Sequence, residues 1–96
     1  MPKGYCIAHV TPTDMALYPK YREAASAAIA AYGGRFLARG GRFESPEGSS
    51  LERHVIVEFE SFDQAKKFYH SPEYQAAVKL RQATSESTFV IVEGAE

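Results

Sequence analysis

One cysteine, Cys6, stands in 96 residues, so the chain cannot close an intramolecular disulfide and has no cysteine-rich zinc site. Charge of one sign is lacking too: 11 Lys and Arg stand against 12 Asp and Glu, a formal net charge of −1. That balance offers no electrostatic footing for a nucleic-acid or anionic-membrane partner. No apolar run reaches the roughly eighteen residues of a membrane span, and no basic-then-apolar leader opens the chain. A soluble, cytoplasmic protein is therefore expected. Internal repeats and low-complexity tracts are also missing, and the length suits one domain over residues 1–96. A hydrophobic share of 45% is enough to build a core. A domain this small still leaves much of its surface wet, so oligomerisation would help its stability.

The clearest segment is His54–Phe59, His-Val-Ile-Val-Glu-Phe, rich in β-branched and aromatic residues and therefore a strand. Alternation puts Val55, Val57 and Phe59 on one face and His54, Ile56 and Glu58 on the other. Gly4–Val10 alternates in the same way and is stopped by Thr11-Pro12. Asp14 can serve as the N-cap for the helix that follows. Tyr18, Tyr21, Ala25, Ala28, Ile29 and Tyr32 then recur at helical spacing until Gly33-Gly34, with Pro19 admitted if the first turn starts there. Arg35–Gly41 reads as a second strand, with Leu37 and Arg39 on one face and Phe36 and Ala38 on the other. Its Gly40-Gly41 end suggests a bulge or a close backbone approach. A polar loop across Phe43–Leu51 leads into His54–Phe59. Ser61-Phe62-Asp63-Gln64 has capping-box form and begins a helix over Asp63–Tyr69. Ser71-Pro72-Glu73 restarts it, reaching Thr84 or Glu86, and Thr88–Val92 closes the chain as a strand.

Strand, helix, strand, strand, helix, strand is the order of the α+β ferredoxin-like βαββαβ fold. Right-handed crossovers place the first and third strands centrally, with both helices on one face of an antiparallel sheet. The uncovered face of such a sheet should be polar. Here Cys6, Ala8, Val10, Val55, Val57, Phe59, Val90 and Val92 are all apolar, and the alternating positions are largely apolar as well. A second apolar face needs a cover, and a second copy in a twofold homodimer supplies one.

These residues resemble the dimeric α/β-barrel superfamily. More closely, the chain is similar to an uncharacterised family within it, the domain of unknown function numbered thirteen-thirty. The resemblance rests on Lys3-Gly4-Tyr5 with Ile7-Ala8-His9-Val10, and on Tyr32-Gly33-Gly34-Arg35-Phe36-Leu37-Ala38-Arg39-Gly40-Gly41. Val57-Glu58-Phe59, Ser71-Pro72-Glu73-Tyr74-Gln75-Ala76-Ala77 and Ile91-Val92-Glu93-Gly94 extend it over nearly the whole chain. It implies two copies pairing into an α/β barrel, and no particular reaction. Superfamily members include cofactor-free monooxygenases, muconolactone isomerase, haem-dependent chlorite dismutases and small ligand-binding modules, and choosing among them by fold is analogy. Pro19 departs from the usual unbroken first helix.

Several residues are candidates for chemistry. Tyr74, Val78 and Arg81 share one helical stripe, so Arg81 points inward, where a cation is expensive unless paired. Glu58 would be its partner if that face of the strand looks toward the helices; a structural ion pair, or an arginine reaching along the helix edge to water, explains Arg81 equally. His9, on the face of Tyr5 and Ile7, is a general base if it lies in an apolar pocket, or a strand-end histidine bonded to backbone. No second ligand lies at metal spacing beside it, and His54 and His70, near element ends, are expected to be solvated. Arg39 can hold a carboxylate or phosphate bidentately, or pair across a dimer with an acidic residue such as Glu44. Tyr5, Tyr18, Tyr21 and Tyr74 are core or rim aromatics, and one or two of them, Tyr74 among the candidates, can turn a hydroxyl into a pocket. Cys6 alternates away from His9, which argues against a nucleophilic pair.

The function expected from these residues is binding of a small molecule between sheet and helices, without cofactor or metal. In an enzymatic version, a cofactor-independent oxygenase or isomerase would act on an aromatic or lactone-like compound. His9 or Glu58 would be the base, and Arg81 or Arg39 would steady enolate-type charge. The alternative is an interaction or structural module without a ligand.

Overall fold

Strands rich in Val, Ile and aromatic residues pair best where neighbours flank them on both sides, and the two such segments occupy the sheet centre. In the computed structural model, which describes residues 2–48 and 50–95, β1 (Gly4–Pro12) and β3 (Arg53–Phe59) are antiparallel neighbours. β2 (Arg35–Arg39) flanks β3 and β4 (Ser85–Glu93) flanks β1, giving the order β2-β3-β1-β4. α1 (Tyr18–Ala31), α2 (Phe62–Tyr69) and α3 (Pro72–Thr84) complete the α+β fold. The whole is 16 Å through its thinnest direction, which leaves room for one helical layer on the sheet.

The helix boundaries follow from local chemistry. Ser61 accepts from the Gln64 backbone N–H at 3.0 Å, but the Gln64 side chain does not close a capping box. It donates instead to the Tyr32 carbonyl at 2.9 Å and so ties the start of α2 to the end of α1. Ser71 accepts from the Tyr74 N–H and donates to the Phe68 carbonyl, holding the break between α2 and α3. Asp14 caps the turn before α1 rather than the helix, accepting from the Ala16 and Leu17 N–H groups. α1 then starts at Tyr18 with Pro19 in its first turn and carries no side-chain cap. Gly33, at φ 77°, ends that segment in the left-handed region.

Cys6, Ala8, Val10, Val57 and Phe59 face the helices and are buried, as alternation required. Val90 and Val92 do not belong with them. Val90 pairs with Ile7 and Val92 with Tyr5, so both lie on the open face, 54% and 42% exposed. Phe89 and Ile91 take the helix side, opposite Ala8 and Cys6. β1 and β4 also run longer than expected, because Thr11 and Pro12 still pair with Glu86 and Ser85.

The largest correction concerns β2. The irregularity falls inside the strand, between Phe36 and Ala38, rather than at Gly40-Gly41. An extra residue reverses the alternation beyond it. Arg39, three residues after Phe36, therefore shares the helix-side face with it, and its guanidinium lies 4.2 Å above the Phe36 ring.

An aromatic column fills the core beneath β3. Phe59 stacks on Phe68 at 4.9 Å, and Phe68 meets Tyr74 at 4.4 Å. Phe68 joins both contacts and is fully buried. Phe68→Ala is expected to lose about 3–5 kcal/mol of unfolding free energy in a urea titration. A loss below about 1 kcal/mol would contradict its place at the centre of the core.

Candidate functional site

α3 presents Tyr74, Val78 and Arg81 along one stripe, and all three are buried. Arg81 is only 4% exposed. Its Nη1 donates to the Tyr74 hydroxyl at 2.8 Å, and that hydroxyl lies 2.8 Å from the Tyr21 hydroxyl of α1. The guanidinium also sits 5.0 Å from the Phe89 ring, while its Nε is buried with no hydrogen-bond partner among the described residues. Among the described residues the one ion pair is Arg35–Glu58, so no carboxylate balances Arg81.

The expected Glu58–Arg81 pair does not form, and strand parity explains why. Glu58 alternates with Val57 and Phe59 and so points to the open face. There it accepts from Arg35 Nη2 at 2.9 Å and from the Tyr5 hydroxyl at 3.2 Å. Arg35 and Glu58 are directly opposed across β2 and β3, which makes theirs a cross-strand ion pair.

Tyr21 and Tyr74 line a cavity of about 40 Å³ between sheet and helices, whose other walls include Ala8, Val57, Phe68 and Phe89. That is room for a few waters or one small functional group. The two hydroxyls carry two protons between them. One is used in the bond joining them, and Arg81 occupies a lone pair of Tyr74. One phenolic proton is left without an acceptor among the described residues. Burial, followed by the neighbouring Tyr21, drives the Tyr74 pKa well above its ordinary value of 10.0, and Arg81 offsets only part of this. On Arg81, burial is the largest influence and acts to lower the pKa, but the Tyr74 and Tyr21 oxygens outweigh it. The site is thus a hydrogen-bonded phenol pair held by a buried cation. It can donate to a carbonyl or an anionic oxygen.

His9 is on the other side of the sheet, facing away from the helices. Directly across from it in the register stands His54. Their Nδ1 atoms are 2.6 Å apart, so one ring donates and the other accepts. His54 is half-buried under Phe43, and its Nε2 is buried without a partner, which corrects the expectation that it is solvated. Among the described residues no three His, Cys, Asp or Glu side chains gather as a metal site.

Of the residues singled out from sequence, the fold joins Tyr74 to Arg81 and places Arg39 at the edge of the same layer. His9 and Glu58 fall on the opposite face. Arg39 Nη2 donates to Ser26 Oγ of α1 at 2.7 Å, and among the described residues it makes no ion pair with Glu44. Tyr21 is one of the tyrosines whose hydroxyl is expected to reach a pocket, whereas Arg53 is not among the candidates read from sequence. Strand parity held the signal for Arg53, since 53, 55, 57 and 59 share the helix-side face.

The model of one family, described as a domain of unknown function (DUF1330), matches residues 3–95. The chain belongs to the DUF1330 family. Among curated proteins, none matches it significantly. Solved structures with the same fold include a protein of unknown function from Rhodopseudomonas palustris, 17% identical with a TM-score of 0.75, over 99% of this chain and 84% of that one. SnoaB, a cofactor-independent oxygenase from Streptomyces nogalater, is 12% identical with a TM-score of 0.67, over 100% and 96% of the two chains. A dimeric protein of unknown function and ferredoxin-like fold from Bacteroides fragilis is 22% identical with a TM-score of 0.63, over 95% of each chain. These structural likenesses agree on the fold, and among the described residues no helix is long and apolar enough to cross a membrane.

The buried proton donors carry a pH signature. Burial pushes the Cys6 thiol up to about 12 from 9.0, and raises Tyr18 above 10.0 with Arg53 offsetting part of the rise. Tyr74 shifts the same way. Each folded-state pKa exceeds its unfolded value, so the unfolded chain gives up its proton first. Their stabilisation is complete below pH 9 and is lost as pH rises from there through about 12. A urea midpoint that falls across this alkaline window is expected, together with a Cys6 thiol that reacts with maleimide only after unfolding. A midpoint indifferent to alkali would show that these groups are solvated.

Proposed function

We propose that the protein is a single domain, residues 1–96, that works as a homodimer and binds a small aromatic or lactone-like molecule between its sheet and helices. The observation that carries this reading is Arg81, a buried guanidinium whose hydrogen-bond partner is a phenol and not a carboxylate. A structural arginine in a core is normally paired with an acid, because an unpaired buried cation is costly. An arginine that instead holds a tyrosine hydroxyl in place leaves the Tyr21–Tyr74 pair with a proton to donate. The ligand would bring the matching acceptor, a carbonyl or phenolate oxygen, and its apolar body would have to displace the aromatic walls, since the cavity of about 40 Å³ admits only a small group. Arg39 would act at the outer edge of the same layer.

The homodimer reading is supported by the open face, where Ile7, Ile56, Val90 and Val92 lie side by side. It is also supported by the description of the Bacteroides fragilis neighbour as dimeric.

A second reading is a cofactor-independent oxygenase or isomerase, favoured by the likeness to SnoaB and by a phenol donor suited to enolate charge. It ranks second because the cavity walls carry no carboxylate or imidazole to act as base. His9 and Glu58 would serve as acid–base groups only for a molecule held between two sheets.

Native mass spectrometry of gently purified protein tests the leading reading. A mass of twice the monomer with a stoichiometric small adduct is expected. Arg81→Met should keep the dimer and lose the adduct, with little loss of stability, since no carboxylate is left unpaired. A monomer across a dilution series would refute the homodimer. An Arg81→Met variant that retains the adduct would refute the role of Arg81.

A further inference from the structure

Above the cavity, α1 and the β2–β3 edge enclose an open cleft of about 420 Å³. Three arginines enter it, Arg22 from α1, Arg39 from the end of β2 and Arg53 from the start of β3. Two of them, Arg39 and Arg53, are held in place by different contacts. Arg39 is pinned by Ser26 Oγ and stacked on Phe36. Arg53 lies beside Tyr18, whose pKa it lowers, and against Gly40. Gly40 sits at φ 66°, and any side chain there would collide with the Arg53 guanidinium. The Arg53 Nε is buried without a partner among the described residues. Glu23 shares the cleft, yet none of the three arginines makes an ion pair among the described residues. Like charges gathered in this way repel one another, and an anion seated among them removes the cost.

Beside the cleft, a narrower space of about 40 Å³ shares its arginines and adds Tyr18, Tyr21, Ile29 and Val55, and these four residues also wall the cavity beside Tyr74. An anion at the arginines would thus lie one layer of side chains from the phenol donor, along an apolar passage that the ligand itself would have to open. The cleft lies on the helix side of the sheet, so a second copy covering the open face would leave it free.

We infer that Arg22, Arg39 and Arg53 form an oxyanion-binding site that selects ligands carrying a carboxylate or phosphate at one end of an apolar body. Arginine suits both groups, because its planar fork matches their oxygens in pairs. The inference rests on the cavity reading above and adds the ligand class: an amphipathic acid, anion outward and ring inward.

Two dyes test it, anilinonaphthalene sulfonate and N-phenylnaphthylamine, which share a ring system and differ in the anion. The double variant Arg39→Gln/Arg53→Gln should weaken the sulfonate about tenfold and leave the neutral dye within about twofold, as expected for charge-assisted bonds. Ala25→Leu, which narrows the passage, should weaken both dyes; Ile29→Phe serves the same purpose if circular dichroism finds Ala25→Leu unfolded. Phenyl phosphate and phenylacetate, as competitors, identify the preferred oxyanion, and either should displace the sulfonate from the wild-type protein but not from the double variant. If the arginine changes affect both dyes alike or neither, or if neither competitor displaces the sulfonate, the oxyanion site is wrong. If narrowing the passage leaves both dyes bound, the cavity reading itself falls, and the oxyanion site with it.

Discussion

A cation shut away from water without a counter-ion is the constraint around which this domain is arranged. Removing a guanidinium from water costs several kcal/mol unless the surroundings replace its hydration. Around Arg81 the replacement is aromatic and phenolic: the Tyr74 hydroxyl accepts from it, and the Phe89 ring faces it at 5.0 Å. Tyr74 in turn closes the aromatic column that begins at Phe59. The same ring therefore packs the core and solvates the charge, so the core and the candidate site share one residue.

The sheet divides the remaining chemistry. On its helix side lie the phenol pair, the cavity and the arginine cleft, with Arg81 the buried charge. On its open side lie the Arg35–Glu58–Tyr5 group, the His9–His54 pair and a set of exposed aliphatic residues. A sheet is one residue thick, so groups adjacent in sequence stand on opposite sides of it without touching. Glu58 and Val57 are separated in this way, and for that reason an acid near the centre of the fold does not reach the arginine beneath it.

Much of the fold was legible because local chemistry and period agreed. Alternation marked Cys6, Ala8, Val10, Val57 and Phe59 as core, Ser61 and Ser71 marked helix starts, and the order of elements led to the sheet order. The inward stripe of Tyr74, Val78 and Arg81 was legible by the same logic. The faces of β4 and of the end of β2 were misread. For β4 no buried neighbour in sequence says which of two apolar sets turns inward; pairing with β1 decides it. For β2 the extra residue at Leu37 reverses the alternation, and no glycine or proline marks the spot.

Sequence alone determined where the helices begin, which positions of β1, β3 and α3 share a face, and that Arg81 would point inward. These depend on spacings of a few residues along one chain, where backbone geometry leaves little choice. The tertiary structure decided which face is covered, that His54 would meet His9, and that Arg39 would join Arg22 and Arg53 around one cleft. Each of those outcomes depends on register between segments far apart in sequence, and one residue of slip changes every contact made across the sheet.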